Sequence, residues 1–109
     1  MTVKELANTP GFSALCLPCP EKAITGGYAG DLLSWVMAGA GEGNAWVTIM
    51  SNVNVIAVAS LCDVACVVLA QGVTLDEKEL QTACEKGINV LTTPERAFET
   101  CVKIGAIVK

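Results

Sequence analysis

Residues 64–70 form an unbroken apolar run, Val-Ala-Cys-Val-Val-Leu-Ala, closed by Gln71-Gly72, and this run limits the fold more than any other feature of the chain. It is far shorter than the roughly 20 residues a membrane-spanning helix needs. It also lacks the apolar/polar alternation of a strand with one wet face, so it reads as a central strand buried on both faces of a parallel sheet. Residues 45–50 and 88–91 read as further buried strands. Between them, Ser51-Asn52 caps an apolar helix over 53–61, and Thr74 with Glu77 forms a capping box for a helix through Lys86 that Gly87 closes. Thr93 before Pro94 predicts the N-cap and first turn of a last helix reaching about Gly105. Strands and helices thus alternate from residue 45 onward, which predicts a mostly parallel sheet with right-handed crossovers and helices on both faces.

The first part of the chain reads differently. Thr2 and Glu5 make a capping box for a short helix that Pro10-Gly11 ends. Residues 13–17 and 23–25 look extended, and Pro18 and Pro20 confine them to the periphery of a sheet because proline cannot donate to a ladder. Thr25-Gly26-Gly27-Tyr28 then reads as a glycine turn at positive φ. It leads into a helix over 31–38 whose Leu32, Leu33, Trp35, Val36 and Met37 fall on more than one face, as in a helix covered on two sides. The expectation is one α/β domain spanning residues 1–109, with an extended N-terminal appendage.

Composition narrows the function. Hydrophobic residues make up 52% and charged residues 17%, which excludes a disordered chain and calls for a substantial core. The net charge is −4 and the few Lys and Arg are scattered, which argues against a nucleic-acid partner. Without a signal-like or spanning segment the expected location is cytoplasmic, with no membrane insertion, and the six cysteines are expected to stay thiols that fill space rather than form a disulfide framework. No histidine, P-loop or close carboxylate pair is present to support catalysis. Asp76, Glu77 and Glu79 read as an acidic first helical turn, and Glu95 with Glu99 as one solvated helix face.

Three features are candidate sites. Ligands of open α/β sheets gather outside the carboxyl ends of the strands, which points to Thr48, Ser51, Asn54, Gln71, Gly72, Thr92 and Thr93, with Thr25, Gly26 and Gly27 completing the rim around a small anionic or nucleotide-like ligand. The same residue types also serve as caps and turns, and Asp31 near a helix start would oppose an anion. Cys16-Leu17-Pro18-Cys19 has the spacing of a redox dithiol, or with Cys62 and Cys66 of a tetrathiolate metal site, although Pro20 disfavours a thioredoxin-like helix after the motif. Finally, Leu32, Trp35 and Val36 with part of 53–61 either pack into the core or form a homodimer contact across a two-fold axis.

Thr25-Gly26-Gly27-Tyr28, Asp31-Leu32-Leu33-Ser34, Val36-Met37, Ala45-Trp46-Val47-Thr48, Val58-Ala59-Ser60-Leu61, Thr92-Thr93-Pro94 and Ala97-Phe98-Glu99 resemble a DRTGG-domain protein over essentially the whole chain. The nearest likeness is to small stand-alone DRTGG proteins encoded beside iron-only hydrogenase and NADH-linked electron-transfer components. The resemblance implies a fold like the amino-terminal domain of HPr kinase, a non-catalytic regulatory or ligand-sensing role, no assigned cofactor, and partners among hydrogenase or electron-transfer proteins. A cysteine-based metal or redox carrier is the alternative. Ala23-Ile24 stand where the name-giving motif has Asp and Arg, so a ligand held near them would rely on backbone amides and Thr25.

Overall fold

Caps and apolar periodicity set the elements of the computed structural model, which describes residues 1–108; Lys109 lies outside them. Thr2 and Glu5 form the expected capping box at the head of α1, Val3–Ala7. β1, Ser13–Cys16, and β2, Gly26–Ala29, follow, then α2, Leu33–Gly39, and β3, Asn44–Thr48. The chain continues through α3, Asn54–Cys62; β4, Cys66–Leu69; α4, Glu77–Glu85; β5, Val90–Thr92; and α5, Ala97–Ile107.

The strands form one sheet in the order β1-β5-β4-β3-β2, with β4 at its centre as the apolar run requires. β2 through β5 are parallel and β1 runs antiparallel to β5. Of the two stretches expected to be extended, 13–17 becomes the edge strand β1, whereas 23–25 holds only an isolated bridge from Ala23 to Thr2, and the other edge strand, β2, is the Gly26–Ala29 segment read as a turn. Because β2, β3, β4 and β5 step across the sheet in one direction, crossovers of one hand place their helices on one face. α2, α3 and α4 accordingly pack Val36, Ile56, Ala59 and Ala83 against Trp46, Val67, Leu69 and Val90. α1 and α5 cover the other face, where Val3, Leu6 and Ile104 meet Ala45, Val47, Val68 and Leu91. Successive residues of one strand thus serve opposite faces, the period of two that a doubly covered strand shows.

Several local expectations are corrected. Gly26 and Gly27 are not a turn: they pair in parallel with Asn44 and Ala45, and neither has positive φ. Cβ atoms there would lie 3.3 Å from Asn44 Nδ2 and 3.4 Å from the Ala45 carbonyl oxygen, so close approach to the neighbouring strand accounts for these glycines better than a bend does. α2 is covered on one side only: Val36 is buried, while Leu32 and Trp35 are 62% and 70% exposed. The cap of α4 is Asp76 with Glu79, not Thr74 with Glu77, because Leu75 is buried against the core and fixes the chain entry two residues later. α5 begins after Arg96, leaving Thr93 and Pro94 in the preceding loop, where Thr93 Oγ1 accepts from the Glu95 N–H. Ser51 caps nothing; Asn52 Oδ1 accepts from the Asn54 N–H at 2.9 Å instead.

Candidate functional site

The carboxyl ends of the parallel strands bring Thr48 and Thr92 level with Leu69 of the strand between them, so most of the expected rim does gather at one end of the sheet. Thr25, Gly26 and Gly27 do not join it. Gly26 pairs with Asn44 at the start of β3, and the Thr25 N–H donates to the Gly43 carbonyl at 2.9 Å, which places both at the opposite end.

The rim hydroxyls are already engaged. Thr48 Oγ1 donates to Asp31 Oδ1 at 2.7 Å, and the same oxygen accepts from the Ile49 N–H at 3.0 Å. Asp31 therefore does not fill the start of α2, which begins after Leu32. It ties the loop after β2 to the end of β3 and supplies the negative charge an incoming anion would have met there. Thr92 Oγ1 donates to the Val73 carbonyl at 2.8 Å. The Gln71 and Gly72 N–H groups donate to the carbonyls of Glu95 and Thr93. Gln71 sits at φ 58°, an uncommon conformation for a residue with a side chain. The side chains of Ser51, Asn54 and Gln71 have no hydrogen-bond partner among the described residues, yet they line none of the three principal cavities.

Topology explains why the three principal cavities lie elsewhere. Ligand crevices open at the carboxyl ends where strand order reverses and adjacent helices diverge to opposite faces. β2 through β5 never reverse.

A cavity of about 340 Å³ lies at the β2 edge instead. Its floor is Gly26, Gly27, Ala29, Ala45 and Val47, and its wall is the C-terminal half of α5 with Cys101, Ile104 and Gly105. Tyr28 turns to the other face, where its hydroxyl donates to the Trp35 carbonyl at 3.3 Å. β2 pairs only with β3 among the described residues, so its outer edge presents backbone N–H and C=O groups with no strand partner. Among the described residues, no charged side chain lines the cavity.

The cysteines separate into two kinds. Cys16 and Cys84, with Cα atoms 6.1 Å apart, are joined in a disulfide, a correction to the expectation of six thiols, because the fold lays α4 against β1. The four cysteines of the tetrathiolate reading do not converge: Cys16 belongs to one core face and Cys66 to the other. Burial pushes the Cys66 thiol up to about 12 and raises those of Cys62 and Cys101, so all three stay protonated and unreactive near neutral pH. The carboxylates are paired as well. Glu95 precedes α5 rather than sharing its face and forms an ion pair with Lys103. Arg96 hydrogen-bonds Glu99 at 2.9 Å and holds its carboxyl below the usual range.

Asn89 escaped notice in the sequence. It is fully buried, accepts from the Cys19 N–H at 2.9 Å, and donates through Nδ2 to the carbonyls of Cys19 at 2.7 Å and Ala65 at 3.0 Å. A lone amide within an apolar strand was the available signal.

The fold is similar to that of a crystal structure of the CBS and DRTGG domains of the regulatory region of Clostridium perfringens pyrophosphatase, complexed with its activator diadenosine tetraphosphate, at a TM-score of 0.71 and 17% identity. The likeness covers 94% of this chain but 44% of that one, so this chain spans less than half its length. At this identity the likeness shows a DRTGG-like domain fold and nothing finer. No family model and no curated protein matches the chain. No helix among the described residues is long and apolar enough to cross a membrane.

Proposed function

We propose that this chain is a non-catalytic regulatory domain that senses a small ligand, and that the ligand lies in the cleft between β2 and α5. The cleft carries this reading: at about 340 Å³ it falls within the size range of small-molecule sites. Gly26 and Gly27 offer bare backbone on which a planar group can lie flat, and the open edge of β2 offers donors and acceptors beside it. Among the described residues the lining carries no charge, so the part of the ligand held there is uncharged, such as the base of a nucleotide-like molecule, while its phosphates face solvent. The carboxyl-end residues Thr48, Gly72, Thr92 and Thr93 then serve packing, with Ser51, Asn54 and Gln71 free for a further polar contact. Likeness to a regulatory region crystallised with a nucleotide activator supports the reading by analogy.

The domain works as a homodimer in the cytoplasm. The uncharged surface of Leu32, Trp35 and Met37 beside the open strand edge supports self-association. Its partners are hydrogenase or NADH-linked electron-transfer proteins, a reading that rests on the resemblance to stand-alone DRTGG proteins. Calorimetry with adenosine, ATP and diadenosine tetraphosphate tests the ligand site. A Cβ on Gly105 meets no atom within 4 Å, so Gly105→Ala keeps binding and Gly105→Leu blocks the cleft. Absence of binding by all three compounds, or unchanged binding in Gly105→Leu, refutes it. Light scattering tests the dimer, which Trp35→Glu should dissociate; a monomeric parent protein removes that part of the proposal.

A further inference from the structure

We propose that Cys16, Cys19 and Cys84 form a thiol–disulfide exchange site that accepts electrons from a dithiol, entered at Cys84 Sγ, and that opening its bridge frees α4 from the edge of the sheet. The site lies away from the β2 cleft and stands whether or not that cleft binds a ligand. The two bridged cysteines are unequal: Cys16 is buried on β1, whereas Cys84 is exposed on the penultimate residue of α4. An attacking thiolate therefore reaches Cys84 first. Cys16 Sγ lies 3.7 Å from the Ile88 carbonyl oxygen, which gives the released Cys16 thiol an acceptor for its proton. The third thiol lies beside the end of the same helix. Buried Asn89 grips both backbone groups of Cys19, and Cys19 Sγ lies 3.6 Å from where a Cβ on Gly87, just past α4, would stand.

In the forward reaction a dithiol thiolate attacks Cys84 Sγ, a mixed disulfide forms, and the Cys16–Cys84 bond breaks with its electron pair leaving on Cys16. The second thiol of the reductant then closes on the first and releases Cys84. Two electrons and two protons pass to the protein, and the reductant leaves as a cyclic disulfide. With a monothiol the mixed disulfide lacks this internal exit and is resolved by another thiol: the released Cys16, a second monothiol, or Cys19, which attacks Cys84 Sγ, forms a Cys19–Cys84 bond and expels the monothiol. The structural effect falls on α4, which buries Ala83 fully and Leu80 only partly and so leans on the bridge for its position. In a reducing compartment an isolated bridge of this kind is of the transient, redox-sensing class.

Alkylation and mass spectrometry on the native protein test this, with buried Cys66 as an internal monitor of unfolding. In dithiothreitol, Cys16 and Cys84 should become alkylated together while Cys66 stays protected, and oxidised dithiothreitol should restore the bridge. A small protein carrying a C-x-x-C dithiol, at equal concentration, serves as the second arm; opening by either supports the site, and the faster one identifies the kind of dithiol it prefers. With 2-mercaptoethanol the adduct on Cys84 should accumulate at least tenfold more in Cys19→Ser than in the parent protein. The proposal is overturned if the bridge opens only when Cys66 also reacts, if oxidised dithiothreitol does not form it, or if Cys19→Ser accumulates no additional adduct.

Discussion

Replacing Asn89 by Ala removes three hydrogen bonds at once, and the structure says where each loss falls. The Ala65 carbonyl lies in a nearly fully buried residue and loses its Asn89 donor, at a cost of about 1–3 kcal/mol. The two Cys19 groups are partly buried and regain water, so each loss costs about 1 kcal/mol. The sum is about 3–5 kcal/mol, a large share of the roughly 5–15 kcal/mol that holds a domain of this size together. Urea denaturation should show it as a lower midpoint at unchanged slope. Asn89→Asp separates the donor from the acceptor. It keeps an oxygen for the Cys19 N–H but turns a second oxygen toward two carbonyls, which favours the protonated acid and raises its folded pKa above the unfolded value of about 3.9. A group raised in the folded state stabilises below its unfolded pKa, and that stability is lost as pH rises through the folded one. The Asp variant should therefore be weaker than Asn89→Ala at pH 7 and recover toward pH 4. A cost below about 1 kcal/mol for Asn89→Ala, or an Asp variant with the pH profile of the parent protein, would refute the assignment of Asn89 as the clamp on the Cys19 loop.

The same linkage makes Cys66 an alkaline weak point. Its thiol is pushed up to about 12 by burial, so stability is full below the unfolded thiol value and falls by about 1.4 kcal/mol per pH unit above it; denaturation midpoints from pH 8 to 11 should show this slope, and Cys66→Ala should flatten it. Gly39→Ala would put a Cβ 2.6 Å from Tyr28 Cε1, forcing the ring aside at about 1–3 kcal/mol. Tyr28→Leu should relieve most of that in a double-mutant cycle, and additive losses would show that the ring is not the obstacle.

Local chemistry was legible in the sequence where a few adjacent residues decide it. Thr2 and Glu5 satisfy each other within one turn, and the helix followed. At α4 two overlapping registers, Thr74 with Glu77 and Asp76 with Glu79, offer the same box, and only the tertiary burial of Leu75 selects the second. Gly26-Gly27 fits turn and strand equally, because glycine is indifferent to φ; the choice was made by Asn44 and Ala45, far along the chain. The Cys16–Cys84 bridge spans 68 residues and left no local trace.

The proposed cleft lies away from the expected rim for a reason of the same kind, one level higher. Each strand–helix alternation correctly announced a parallel sheet, but alternation does not carry strand order, and strand order decides whether a carboxyl-end crevice exists. With β2 through β5 stepping one way, α2, α3 and α4 crowd a single face and leave no divergence between neighbours. Thr48 could then pair with Asp31, and Thr92 with the Val73 carbonyl, at an end of the sheet that none of the three principal cavities reaches. The other face has two helices, and the short α1 and the tapering end of α5 leave the β2 edge partly uncovered. That is where small residues are needed: Gly27, Ala29 and Gly105 keep open a cleft that ordinary side chains would fill. The glycines read as a conformational device thus act by lacking volume, and a substitution that restores volume without bending the backbone distinguishes the two roles.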